Sequence, residues 1–81
     1  MSSITTHIDL ITTKWDVIVV YRTVDVLADP EVYFESDLKD VARVSAGIPD
    51  TAYLLSVVLT GTEVGPENVY SFRAIYEMEE P

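Results

Sequence analysis

The chain has 81 residues, no cysteine, and 14 Asp and Glu against five Lys and Arg, for a net charge of −9. This length predicts a single domain over residues 1–81, and the lack of cysteine excludes disulfides, thiol catalysis and thiolate metal sites and fits a cytoplasmic location. The charge disfavours direct binding to nucleic acid or membranes. An apolar content of 48% argues against disorder.

Residues 4–12 alternate between two faces, as a β-strand does. Ile4 and Ile8 share one face, and His7 lies on the other. After a connection at 13–14, residues 15–27 form a second predicted strand, which is apolar on both faces. Such a strand needs cover on both sides.

The Asp29-Pro30 pair interrupts this pattern and admits two interpretations. Pro30 could begin a helix capped by Asp29. That helix would place Glu31 inside the apolar stripe that contains Phe34 and Leu38. We therefore predict an extended segment over residues 31–35.

A short helix is then expected over residues 37–46. Ser36 is a suitable N-cap, and Gly47 is a suitable residue to end the helix. The predicted buried face consists of Leu38, Val41, Ala42 and Ser45.

Two further strands are predicted over residues 51–60 and 69–78, joined by a loop over 61–68. The order β-β-α-β-β predicts an α+β fold with about four antiparallel strands and one short helix. One helix covers one face of such a sheet, and an exposed apolar face marks an interface. We expect a homodimer that buries sheet against sheet, with a heterologous partner as the alternative.

The acidic residues around the helix suggest a partner-binding surface. In an extended segment alternate side chains share a face, so a row is predicted from Asp29, Glu31, Glu35 and Asp37, with Tyr33 as its central anchor. Residues two apart on a strand are about 6.6–6.8 Å apart, comparable to neighbouring phosphates of DNA. The row would attract a basic protein; alternatively, it is a solvated edge that prevents aggregation.

No motif for catalysis or for metal or cofactor binding is evident. The single histidine, His7, has Asp9 two residues away, but the other parts of a catalytic constellation are missing. We therefore expect no enzyme activity, no metal site and no cofactor. Arg22 and Arg73 lie within predicted strands, and each is expected to pair with a cross-strand carboxylate.

The sequence favours a non-enzymatic acidic protein-binding module. Its sharpest form is a nucleic-acid mimic, an inhibitor that occupies the basic nucleic-acid-binding surface of a nuclease or defence enzyme, as a viral or host-defence antagonist would. The alternative function is a self-assembling structural subunit. In that alternative the self-association face contains Trp15, Tyr70, Phe72 and Tyr76.

Overall fold

A computed structural model describes residues 3–11 and 14–78, and for residues 9–11 it describes the backbone. The described strands are β1 (Ser3–Ile11), β2 (Lys14–Thr23), β3 (Ala52–Glu63) and β4 (Asn68–Met78). They form one antiparallel sheet in the order β1-β2-β4-β3. Between β2 and β3 the chain forms α1 (Pro30–Tyr33), a π-helical turn (Phe34–Leu38) and α2 (Lys39–Ser45).

These elements confirm the predicted α+β fold and the order β-β-α-β-β. The connection predicted at 13–14 lies partly outside the described residues, and so does the chain end at 79–81. The side chain of Asp9, the predicted neighbour of His7, is also not described.

The core lies between the helical segment and one face of the two central strands. Alternate residues of β2 and β4 point into it, and they meet one stripe of the helix. The principal buried side chains are Val17, Val19 and Tyr21 of β2, Tyr70, Phe72, Ala74 and Tyr76 of β4, and Phe34, Leu38 and Ala42 of the helix. The rings of Phe34 and Phe72 meet at 5.0 Å between centroids with a tilt of 45°.

The helical segment begins at Pro30, so the predicted extended segment over residues 31–35 was wrong. Asp29 is the N-cap, and its Oδ1 accepts a hydrogen bond from the Val32 amide at 3.3 Å. Ser36, the predicted N-cap, lies inside the π turn and donates from Oγ to the Tyr33 carbonyl at 3.3 Å. A π turn closes i→i+5 hydrogen bonds, so a 3.6-residue period projected across it misplaces the residues on its N-terminal side.

The end of the helix confirms the prediction for Gly47. Its φ of 74 places it in the left-handed region that favours glycine. The Gly47 amide donates to the Val44 carbonyl at 3.1 Å, and the Ile48 amide donates to the Arg43 carbonyl at 3.0 Å. This pair of bonds is a Schellman motif, and the buried Ile48 supplies its hydrophobic contact.

A simple alternation of faces does not hold along β3, because the strand contains two register shifts, between Leu54 and Ser56 and between Leu59 and Gly61. Each shift leaves one extra residue in the strand, which reverses the facing of the residues after it. Val58 therefore points away from the helix, and β3 continues through Gly61, which the sequence had placed in the loop.

Candidate acidic interface

The five residues of the predicted acidic row lie on a helix rather than on a strand, so they do not form a row. Asp29 caps the N-terminus. Glu31 and Glu35 lie on the side of the helix facing β3, whereas Tyr33 and Asp37 lie on the side facing β1 and β2. The strand spacing that resembled neighbouring phosphates therefore does not apply to these carboxylates.

Glu31 has a structural partner. Its Oε2 accepts a hydrogen bond from the backbone amide of Leu59 at 2.8 Å. Leu59 belongs to β3, which lies at the edge of the sheet, where backbone amides lack a neighbouring strand. Glu31 thus satisfies an edge amide, and this is why a carboxylate is tolerated within the apolar stripe of the helix.

Glu35 is exposed beside Lys39, on the helix side that faces β3. These two side chains line a groove of about 260 Å³ together with residues 53–56 of β3. Opposite charges share this groove, so it does not concentrate negative potential.

Tyr33 packs against β2 rather than standing free as a central anchor. Its hydroxyl lies 3.5 Å from the hydroxyl of Tyr21, and the two ring centroids are 6.0 Å apart. Hydrogen bonding with Tyr21, partial burial and the negative charges of Asp37 and Asp25 raise the pKa of Tyr33 to about 12. Tyr33 is therefore neutral at physiological pH.

A second group of acidic residues lies on the side of the helical segment that faces β1. We call it the acidic flank, and it consists of Asp37, Asp40, Val41 and Val44. These positions follow the i, i+3, i+4, i+7 spacing of one helix face. Val41 was predicted to be buried, yet it is 50% exposed, and Val44 is 66% exposed.

Two adjoining grooves run along the acidic flank. One is a shallow, open depression of about 470 Å³ over Asp40, Val41, Val44 and Ser45. The other, of about 310 Å³, is shared between the helix and residues of β1 and β2, including Ile4 and Tyr33. Ser45 Oγ lies 3.3 Å from Thr6 Oγ1 and holds the end of the helix beside β1.

The negative charge of the helical segment is largely uncompensated. Residues 29–45 contain five acidic residues, one lysine and one arginine, a net charge of −3. Among the described residues, the one salt bridge of this segment joins Arg43 Nε to the exposed Asp40 at 3.9 Å. A bridge this long and exposed neutralises little, so the flank presents carboxylates next to exposed valines.

The acidic flank was not predicted from the sequence, although the sequence contains a signal for it. Asp37, Asp40, Val41 and Val44 have the spacing of one helix face, but Val41 had been assigned to the neighbouring buried stripe. Val44 had not been assigned to either face. The two stripes overlap in sequence, and packing against the sheet decides which one is buried.

The aromatic residues proposed for self-association lie on the face that the helix covers. Tyr70, Phe72 and Tyr76 are buried in the core, and Trp15 is half-buried against it. Tyr76 donates from its hydroxyl to the Lys39 carbonyl at 2.7 Å, and burial raises its pKa. These side chains join helix to sheet and do not form an exposed face.

The uncovered side of the sheet has a different composition. We call it the open face, and it includes Asp16, Ile18 and Val20 of β2, Arg73 and Ile75 of β4, and Val58 of β3. Arg73 pairs with Asp16 as predicted, with Nε 3.0 Å from Oδ1. This hydrogen bond, aided by the positive charge, lowers the pKa of Asp16. Arg22, in contrast, forms no salt bridge with any residue that the structure describes.

Within residues 3–11 and 14–78, no group of three or more metal-ligating side chains comes together. His7 is exposed on the open face beside Ile18. In the same described part of the chain, no helix has the length and apolarity needed to cross a membrane. No protein-family model, curated protein or solved structure matches the chain.

Proposed function

We propose that this chain is a non-enzymatic protein-binding module that binds a basic partner through the acidic flank of its helix. The observation that carries this proposal is the combination of the exposed carboxylates of Asp37 and Asp40 with the exposed side chains of Val41 and Val44. Carboxylates steer a basic partner toward the flank, and the valines provide apolar area for contact.

The chemistry of this flank differs from that of a purely solubilising surface. A solvated acidic surface has no need of exposed valines beside its charges, and apolar groups there reduce solubility. The flank also lies next to grooves of about 470 and 310 Å³. A partner segment with alternating basic and apolar side chains would fit this arrangement, as amphipathic segments fit grooves in other complexes.

In its sharpest form, the proposal makes this protein a cytoplasmic inhibitor. Its acidic flank would occupy the basic surface with which a nuclease or defence enzyme holds nucleic acid. Such surfaces combine Lys and Arg with aromatic or apolar side chains, which complement the carboxylates and valines of the flank. The charge of −9 favours fast association with a partner of this kind.

The experiment that tests the binding surface compares two matched double variants. Asp37→Lys/Asp40→Lys changes the acidic flank, and Glu63→Lys/Glu67→Lys changes two exposed acids at the β3–β4 loop. Each double variant raises the net charge by the same four units. The probe is a synthetic amphipathic helical peptide of lysine and leucine, and its affinity is measured by calorimetry at low and high salt.

We expect Asp37→Lys/Asp40→Lys to weaken peptide binding by roughly tenfold or more, since two charge reversals remove local attraction and add repulsion. The loop variant should weaken it much less. Equal losses in the two variants would show that net charge alone attracts the peptide and would contradict a defined flank. Circular dichroism of both variants confirms that each remains folded.

The inhibitor form of the proposal needs a second experiment. The wild-type protein is used to capture partners from host lysate, and a captured nucleic-acid-binding protein is then tested for its activity. We expect inhibition by the wild type and by Glu63→Lys/Glu67→Lys, but not by Asp37→Lys/Asp40→Lys. A captured protein that keeps its full activity while bound would argue against inhibition.

A further inference from the structure

The open face carries apolar side chains on both sides of the Arg73–Asp16 ion pair and has no cover in the described chain. Ile18 is 48% exposed and Val58 is 54% exposed, while Val20, Val69 and Ile75 are partly buried around them. The helical segment packs entirely on the opposite face, so these side chains are left to solvent. Exposed apolar side chains on an uncovered sheet face are typical of an interaction surface.

The charges of the open face differ from those of the helix. Three of the five Lys and Arg residues, Lys14, Arg22 and Arg73, lie on this face. Lys14 pairs with Glu77 at 3.5 Å, and Arg73 pairs with Asp16. The face is therefore close to electrically balanced, although the chain as a whole carries −9.

We propose that the open face is covered by the open face of a second copy of this chain. Two copies that met through their helices would bring uncompensated carboxylates together, and the repulsion would oppose association. Two copies that meet through the open faces place the helices on the outside, far apart. A two-fold axis would bring each apolar patch onto its own counterpart.

The size of the face matches this arrangement. The molecule measures 44 × 20 × 20 Å along its principal axes, and the 12 residues of β3 span about 40 Å of the longest one. The face therefore offers at most about 900 Å², comparable to the ~800 Å² that each partner buries in a stable complex. Sheets that pack face to face lie ~10 Å apart, so the dimer would have four layers, with the helices outermost.

The mass of the protein in solution tests this proposal without reference to any basic partner. Sedimentation equilibrium is measured from micromolar to millimolar concentration, at low and high salt. We expect a dimer whose stability is unchanged or increased by salt, because salt screens the repulsion between acidic copies and leaves apolar burial intact. A wild-type protein that stays monomeric over the whole range would overturn the proposal.

A matched pair of variants assigns the dimer to the open face. Ile18→Lys/Val58→Lys should weaken dimerisation by at least about tenfold, since two charges would be buried at its centre. Both changes make the chain less acidic, so a rise in the overall repulsion between two acidic copies cannot explain the loss. Val24→Lys/Val64→Lys alters two exposed valines outside the open face in the same way and should leave the dimer intact.

Two results would refute the assignment to this face: a dimer that persists in Ile18→Lys/Val58→Lys, or an equal loss in both double variants. If the first variant does not fold, Ile18→Thr replaces it, because threonine is also β-branched and suits an exposed strand position. The single change should then weaken the dimer measurably while the circular dichroism spectrum stays unchanged.

Discussion

Glu31 links the helix to the edge strand of the sheet through one hydrogen bond. It lies in the stripe of the helix that faces β3, where an unpaired carboxylate would be costly. The amide of Leu59 supplies the partner at 2.8 Å. The same bond covers a backbone group of an edge strand, which would otherwise be available for pairing with another chain.

Replacing Glu31 should therefore reduce stability, whereas replacing Glu35 should not. We expect Glu31→Ala to lower the free energy of unfolding by about 1–3 kcal/mol, because it leaves the Leu59 amide without its charged acceptor. Glu35→Ala, an exposed change on the same helix, should stay within about 0.5 kcal/mol of wild type. Urea denaturation measures both, and equal effects would show that the Glu31 bond contributes nothing.

Because the pKa of Tyr33 is raised, we expect the protein to lose stability at alkaline pH. Its pKa of about 12 in the folded state lies above the ordinary value of 10.0. A raised pKa means that folding favours the neutral form of Tyr33. Its contribution to the free energy of unfolding is therefore complete below about pH 10 and is lost as the pH rises through about 12.

Urea denaturation of wild type and Tyr33→Phe on either side of pH 10 tests this expectation. Tyr76 also has a raised pKa, but it is present in both proteins and its effect cancels in the comparison. Wild type should lose more stability than Tyr33→Phe as the pH rises. Parallel losses in the two proteins would show that Tyr33 is not linked to folding.

At the scale of elements, the helix is defined by its two ends and by the π turn between them. Asp29 and Pro30 begin it, and the Schellman motif at Gly47 ends it beside the sheet. The π turn in the middle brings Phe34 and Leu38 onto the sheet. These features together orient Asp37 and Asp40 toward β1 and Glu31 toward β3.

Glycine at position 47 should be needed for this helix end. Gly47→Ala places a side chain at φ 74, which costs about 1–2 kcal/mol. Gly61 has a φ outside the left-handed region and open space around its Cα, so Gly61→Ala should be close to neutral. Thermal unfolding compares the melting temperatures of the two variants. An equal decrease in both would contradict the role of Gly47.

Strands with a regular alternation could be predicted from the sequence. The extra residues of β3 and the π turn, which interrupt a regular period, could not. Alternation in β2 and β4 predicted two strands, since both are regular and central, but it did not show which face the helix covers, because β2 is apolar on both faces. The extra residue at Leu55 of β3 and the π turn each shift the period locally, and neither has a distinctive residue type. The sequence indicated caps at both Asp29 and Gly47, but the Asp29 helix would place Glu31 in the apolar stripe, and the partner that makes this tolerable lies 28 residues away in the chain.

The whole molecule presents two surfaces of different chemistry on opposite sides of one sheet. The helix side carries largely uncompensated carboxylates next to exposed valines, and the open face carries apolar side chains with nearly balanced charges. A dimer through the open faces would display two acidic flanks on its outer sides. Binding at the flank should weaken with salt, whereas dimerisation should not, so one salt series separates the two surfaces.

The most direct test of a binding site on the acidic flank is an NMR titration of the isotope-labelled protein with the lysine and leucine peptide. We predict that the largest chemical-shift changes fall on the amides of residues 37–45 and of the neighbouring part of β1. Changes spread over all acidic positions, or confined to the loop at residues 63–67, would contradict a defined interface on the helix.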